Sequence, residues 1–89
     1  MNRFEKKNAV LIKAFGQYLR AHSHLMDELP DDALLVMQVE GDEPFNAWSR
    51  QIAQPDRGQA IVHVKFTLKR VAKVNTPADI EKLELQPVG

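Results

Sequence analysis

The chain contains no cysteine among its 89 residues. Disulfide bonds, thiolate metal sites and cysteine nucleophiles are therefore excluded, and the absence fits a protein of the reducing cytoplasm. Glycine is also scarce, with 4 residues. Gly41 stands alone where a phosphate-binding loop would need several glycines, so the sequence gives no support to a nucleotide-binding site of that kind.

Long apolar runs and an excess of one charge are missing as well. No stretch approaches the roughly 20 apolar residues of a membrane span, and Lys13 and Gly16 interrupt "AVLIKAFG" before it reaches the length of a signal peptide. Lys and Arg number 12 and Asp and Glu number 12. No overall field therefore attracts nucleic acid or an anionic membrane, and any such binding must be local.

What is present is the composition of an ordinary folded domain, with 44% hydrophobic and 27% charged residues. The length predicts a single small domain over residues 1–89, because a second core would not fit. A chain of this size buries only about 60 to 65% of its unfolded surface, so its stability is expected to be marginal. Self-association would cover more of that surface.

The first segment has the apolar spacing of an amphipathic helix. Its apolar residues recur at three- and four-residue steps from residue 11 to residue 29. This spacing predicts a helix from Arg3 to Ser23 and a further turn from His24 to Leu29, which Pro30 ends.

A β-α-β unit is predicted next. The apolar run between two turn segments predicts a strand at Leu34–Val39, and Asp42 can cap a short helix at Glu43–Gln54. Alternating residues predict a second strand at Ala60–Val71. About twenty residues containing a helix separate the strands, which suits a parallel crossover better than a hairpin.

Residues 74–89 form a C-terminal extension with two interpretations. Thr76 at a cap position and Pro77 at the first helical position favour a short helix, whereas "LELQPVG" also alternates as a third strand would. Two parallel strands are too few to stand alone, so a third strand is expected from this tail or from a partner chain. The predicted class is α/β, with α+β possible.

Several parts of the chain resemble a family of small prokaryotic proteins whose domain has no assigned function. The similar segments are "FGQYLRAHSHLMDELPDDALLVMQVEGDEPFNAWSRQIA" and "GQAIVHVK", within residues 8–66. The resemblance implies the same order of helix, strand, helix and strand. It implies no catalytic residue and no cofactor.

The residues that could carry chemistry do not form a recognisable site. His22 and His24 are two apart and would point in different directions on a helix, which disfavours a metal site. Asp42 and Glu43 follow the first strand, where a cation could bind, but capping of the next helix is the simpler interpretation. We therefore predict no catalytic residues, no metal ligands and no cofactor, and a non-enzymatic protein.

The second predicted strand ends in a basic stretch. Its valines and Phe66 share one face, and the basic residues point the other way or follow it. The candidate nucleic-acid contacts are Lys65, Lys69, Arg70 and Lys73. No aromatic residue lies beside them to stack on a base, and lysines at a sheet edge also prevent unwanted pairing.

The leading hypothesis is a cytoplasmic protein-interaction module that self-associates, as a homodimer, or binds another protein. The expected surface is the first helix or the edge of the sheet, since aromatic residues are enriched at interfaces. The candidate contacts are Phe15, Tyr18, Leu19 and Trp48. Two alternatives are a small nucleic-acid-binding regulator that uses the basic strand and a non-catalytic subunit of an enzyme complex.

Overall fold

A computed structural model describes residues 1–70, 74 and 77–88. The elements of this part of the chain are α1 (Arg3–Ala21), β1 (Leu34–Val39), α2 (Glu43–Ile52), β2 (Ile61–Leu68) and β3 (Ile80–Val88). Short 3₁₀ helices lie at Ser23–Glu28 and Pro77–Asp79. The predicted class, an N-terminal helix followed by a β-α-β unit and a small sheet, is confirmed.

Helix α1 begins with a capping box. The Asn2 side chain accepts a hydrogen bond from the Glu5 N–H at 2.8 Å, and the Glu5 carboxylate accepts one from the Asn2 N–H at 3.0 Å. These bonds satisfy backbone donors that the first turn of a helix leaves free. The helix ends at Ala21 and continues as the 3₁₀ helix, close to the break predicted after Ser23.

The sheet has three strands in the order β1-β2-β3. Strands β1 and β2 are parallel, and β3 is antiparallel to β2. The tail therefore supplies the third strand, as one of the two predictions had it. The alternative of a C-terminal helix is wrong beyond the single turn at Pro77–Asp79, because pairing of residues 80–88 satisfies the backbone groups on the second side of β2.

Strand β2 ends at Leu68, earlier than the predicted Val71, which lies outside the described residues. Lys69 and Arg70 lie in a bend, and the Lys69 N–H donates to the Asp79 carbonyl at 3.0 Å. The register with β3 shifts between Thr67 and Leu68, which marks a β-bulge. A bulge increases the local twist and ends regular pairing. The strand therefore ends at Leu68, although apolar and polar residues are still interspersed in the sequence after it.

The core lies between α1 and one face of the sheet. Residues of β2 at even positions are buried and those at odd positions are half-buried, so the strand has one core face. Phe45 and Phe66 are fully buried within it, and truncating either to alanine should cost about 3–5 kcal/mol. The members of the core are Leu11, Ala14, Phe15, Met37, Val39, Phe45, Val64, Phe66, Leu68, Val74 and Ile80.

Candidate functional site

The outer edge of β1 is closed by a side chain from α2. The Asn46 amide oxygen accepts from the Val39 N–H at 2.7 Å, and its amide nitrogen donates to the Val39 carbonyl at 2.7 Å. These are the two bonds that a neighbouring strand would make with Val39. Asn46 is 9% exposed and Val39 is 0% exposed, so the bonds are made away from water.

Polar side chains extend this closure along the edge. The Gln38 amide nitrogen donates to the Met37 carbonyl at 2.9 Å and to the Asn46 carbonyl at 3.3 Å. Its amide oxygen accepts from Arg50 at 2.9 Å, and Arg50 also pairs with Glu43 at 2.6 Å. Helix α2 thus holds the edge from Met37 to Val39 with bonds to both backbone and side chains.

Beyond Met37 the same edge borders a groove of about 300 Å³. Ser49 and Ile52 of α2 and the Ala53 that follows the helix form one side of it, and the residues from Leu34 to Val36 form another. Residues of α2 therefore lie beside β1 at both ends of that strand, with hydrogen bonds at Val39 and a groove at Leu34–Val36.

The outer edge of β3 is different, and two bonds at the ends of β1 show how its backbone points. The Leu34 N–H donates to the Ala60 carbonyl at 2.8 Å, and the Glu40 N–H donates to the Phe66 carbonyl at 2.9 Å. Even-numbered residues of β2 thus bond with β1, and odd-numbered residues bond with β3. Because odd residues of β2 pair with even residues of β3, the odd residues of β3 point their N–H and C=O groups outward.

Pro87 is one of these outward residues. Proline has no N–H, and at an inward position it would remove a bond to β2, whereas here it removes none. Leu83 and Leu85, also odd-numbered, keep their N–H groups on the outer side. Within the described residues this is the sheet edge that no other element occupies, and Leu83 and Leu85 are half-buried against the core.

The sheet face opposite the core carries alternating charges. Lys65 of β2 lies directly opposite Glu84 of β3, and Glu84 pairs with Lys82 along its own strand at 3.4 Å. Thr67 donates to Glu40 at 2.9 Å. We call this surface, formed by the odd residues of β2 and the even residues of β3 from Lys82 onward, the polar face. Its basic residues are accompanied by acidic ones, which weakens its attraction for phosphates.

His63 lies at the middle of the polar face. Burial lowers the pKa of its imidazole below the ordinary value, and the positive charge of Arg50 lowers that pKa further. Its strand neighbours are Val36 on β1 and Gln86 on β3, and neither is a charge that would favour the protonated ring. The fold therefore favours neutral His63.

The four predicted interface residues lie in or beside the core. Phe15 is 3% exposed and packs inside it, so its side chain is not on the surface of the single chain. Tyr18 and Leu19 are half-buried on α1, and Tyr18 stacks on His22 with ring centroids 4.0 Å apart. Trp48 is half-buried beside Phe4 and Phe45, at centroid distances of 5.6 and 5.8 Å. A contact role for Tyr18, Leu19 and Trp48 stays a prediction.

The four predicted nucleic-acid contacts are separated by the fold. Lys65 is half-buried on the polar face opposite Glu84, while Lys69 and Arg70 are exposed in the bend after β2. Lys73 lies outside the described residues. The structure thus brings Lys69 and Arg70 together but gives Lys65 an acidic neighbour.

Asp42 caps α2, as its position predicted. Its Oδ1 accepts from the Phe45 N–H at 3.3 Å, and its Oδ2 pairs with Lys7 of α1.

Asp31, Asp32 and Asp56 line a polar cleft of about 720 Å³ at the start of the parallel strands. Across the residues that the structure describes, no group of three or more metal-binding side chains lies close enough to hold a metal ion, and no helix is long and apolar enough to span a membrane.

In the part of the chain that the structure describes, a small three-stranded α/β fold bonds one sheet edge to α2 and leaves the other edge without a neighbouring element. The chain belongs to a family of unknown function, DUF5647, whose model matches residues 3–77. Strand β3 follows the matched region. Comparison with curated proteins and with solved structures finds no match.

The sequence predicts a sheet edge as a contact surface, but it does not indicate which strand supplies that edge. Pro87 within an alternating segment is a sequence indicator of an edge strand, and it supports the strand interpretation of the tail. Asn46 carries no such indicator, because its bonds to Val39 depend on how α2 and β1 pack and not on its neighbours in sequence.

Proposed function

We propose that the protein is a non-enzymatic, cytoplasmic interaction module that self-associates, and that the outer edge of β3 is its pairing surface. The observation that supports this most directly is the contrast between the two edges. Asn46 and Gln38 occupy backbone groups at the β1 edge, whereas Leu83 and Leu85 direct theirs outward. A second strand would satisfy those groups.

The size of the protein supports the same proposal. A three-stranded sheet in a chain of 89 residues has a small core. Small domains bury a low fraction of their surface, and covering one sheet edge would raise that fraction. Leu83 and Leu85 are half-buried, so a neighbouring strand would shield apolar surface together with the backbone.

The test compares two substitutions at one residue. Leu83→Pro removes the outward N–H without removing a bond to β2, and Leu83→Ala shortens the side chain but keeps the N–H. We expect the wild type and Leu83→Ala to sediment as dimers over a concentration series, and Leu83→Pro to sediment as a monomer with the circular dichroism of a folded protein. A monomeric wild type at every concentration would contradict the proposal.

Nucleic-acid binding is a second candidate, supported by the exposed Lys69 and Arg70 in the bend after β2. Phosphate contacts are strongest at low salt. Binding of labelled single- and double-stranded DNA and RNA is measured by fluorescence anisotropy at low ionic strength. Binding that is lost in Lys69→Ala/Arg70→Ala would favour this function, and its absence in the wild type would exclude it.

A further inference from the structure

Resting on the proposed self-association, we infer that two copies pair antiparallel through β3 with Leu83 of each copy opposite Leu83 of the other. The pairing doubles the three-stranded sheet, and its two-fold axis passes between the two Leu83 residues. The occupant of the accessible edge is then a second copy of this chain.

The outward backbone groups restrict the possible registers. Only odd residues of β3 carry outward groups, so odd residues must pair with odd residues of the second copy. Every symmetric arrangement that is centred on a residue meets this condition, so charge and Pro87 must decide among the centres from Lys82 to Gln86. An isologous contact of this kind places the same segment of both copies at the interface.

Charge separates these arrangements. A centre at Lys82 places Lys82 opposite Lys82 of the second copy. A centre at Glu84 places Glu84 opposite Glu84 of the second copy. A centre at Leu83 places Lys82 of each copy opposite Glu84 of the other, so both cross-strand pairs unite opposite charges. Like charges directly opposite each other, as at the Lys82 and Glu84 centres, destabilise a strand pair.

Pro87 argues against the centres at Leu85 and Gln86. With Leu85 at the axis, Leu83 would lie opposite Pro87 and its carbonyl would lose the N–H it needs; with Gln86 at the axis, the carbonyl of Leu85 would lose it in the same way. With Leu83 at the axis, Pro87 lies beyond the paired region. Glu81 then pairs with Leu85 of the second copy. The bulge before Lys82 makes these outer bonds less regular than those of Leu83.

The other residues of the polar face agree with this register. Within one chain Lys65 lies opposite Glu84, and Thr67 lies opposite Lys82 beside Glu40. Pairing at Leu83 continues this row across the interface, from Lys65 to Glu84, then to Lys82 and Thr67 of the second copy. The alternation of charge within the monomer is therefore preserved between the two copies.

Single cysteines test the register directly, because the chain has no cysteine of its own. Paired residues that exchange both backbone bonds have Cα atoms about 5.5 Å apart, within the range of a disulfide. We expect Leu83→Cys to form a covalent dimer on mild oxidation, and Lys82→Cys, Glu84→Cys and Leu85→Cys each to remain uncoupled. An equimolar mixture of Lys82→Cys and Glu84→Cys should give the mixed disulfide dimer.

Charge reversal supplies a test that does not alter a half-buried leucine. Lys82→Glu turns two attractive pairs into repulsive ones and should weaken dimerisation about tenfold. Lys13→Glu makes the same change of net charge at an exposed site on α1 and should leave dimerisation unchanged. Both are measured by sedimentation equilibrium.

The outcomes separate this inference from the proposed function. Dimers that crosslink through Lys82→Cys, Glu84→Cys or Leu85→Cys alone, or not through any β3 cysteine, would overturn the Leu83 register while self-association stands. A wild type that remains monomeric would overturn both.

Discussion

Asn46 shows how one side chain can take the place of a strand. Its amide presents an acceptor and a donor to the N–H and C=O of Val39, and the Gln38 side chain holds the Asn46 carbonyl and its own neighbour Met37. Both residues are buried. Water cannot easily reach the backbone groups that they bond, so these groups depend on the two side chains for their hydrogen bonds.

Replacing Asn46 should therefore be costly for the fold. In Asn46→Ala both groups of Val39 lose their partners, which should reduce the free energy of unfolding by about 2–4 kcal/mol. Asn46→Asp retains the acceptor for the Val39 N–H but opposes a carboxylate to the carbonyl, so it should recover stability at acidic pH. Urea denaturation measures both, and Gln51→Ala, exposed on the same helix, is the matched control.

His63 makes a prediction about pH. Because burial and Arg50 lower the pKa of His63 in the fold, the unfolded chain binds the proton more readily than the folded one. The contribution of His63 to stability should be complete above its unfolded pKa of about 6.5 and should decline as the pH falls through the interval down to the folded pKa.

The measurement is the urea midpoint between pH 7.5 and pH 5. His63→Gln should flatten this part of the profile, and Gln51→Ala, at an exposed site without a titratable group, should leave it as in the wild type. Equal slopes for wild type and His63→Gln would contradict the assignment.

At the scale of elements, α2 is held from both of its ends. Asp42 caps its first turn and pairs with Lys7 of α1, while Asn46 and Arg50 attach it to β1. The position of α2 beside β1 thus depends on polar contacts as well as on Phe45 in the core.

Two substitutions at Asp42 separate the cap from the ion pair. Asn caps a helix as well as Asp does, so Asp42→Asn loses mainly the pair with Lys7 and should cost about 1 kcal/mol or less. Asp42→Ala loses the cap as well and should cost about 1 kcal/mol more. Chemical denaturation compares them, with Glu28→Gln as a control for an exposed charge outside α2. Equal losses would show that the cap contributes nothing.

At the scale of the whole molecule, folding and association should be linked. If two copies bind only when folded, the melting temperature must rise with protein concentration. Thermal unfolding followed by circular dichroism over a hundredfold concentration range should show this rise in the wild type. Leu83→Pro should melt at one temperature throughout, which the linkage requires of a monomer.

The sequence predicted the local elements better than their assembly. Leu34–Val39 and the Asp42 cap were predicted with their observed bounds, because apolar runs and cap residues act within a few positions. The choice between helix and strand for the tail needed β2, whose free side is visible only in three dimensions. The burial of Phe15 and the acidic neighbour of Lys65 depend on packing between distant segments in the same way.

The hydrogen bonds that Asn46 makes at the edge of β1 also limit how many copies the proposed pairing can join. A sheet with two accessible edges can add neighbours at both ends and grow into a filament, whereas a sheet with a single accessible edge stops growing after one addition. The proposed pairing at β3 would therefore stop at two copies.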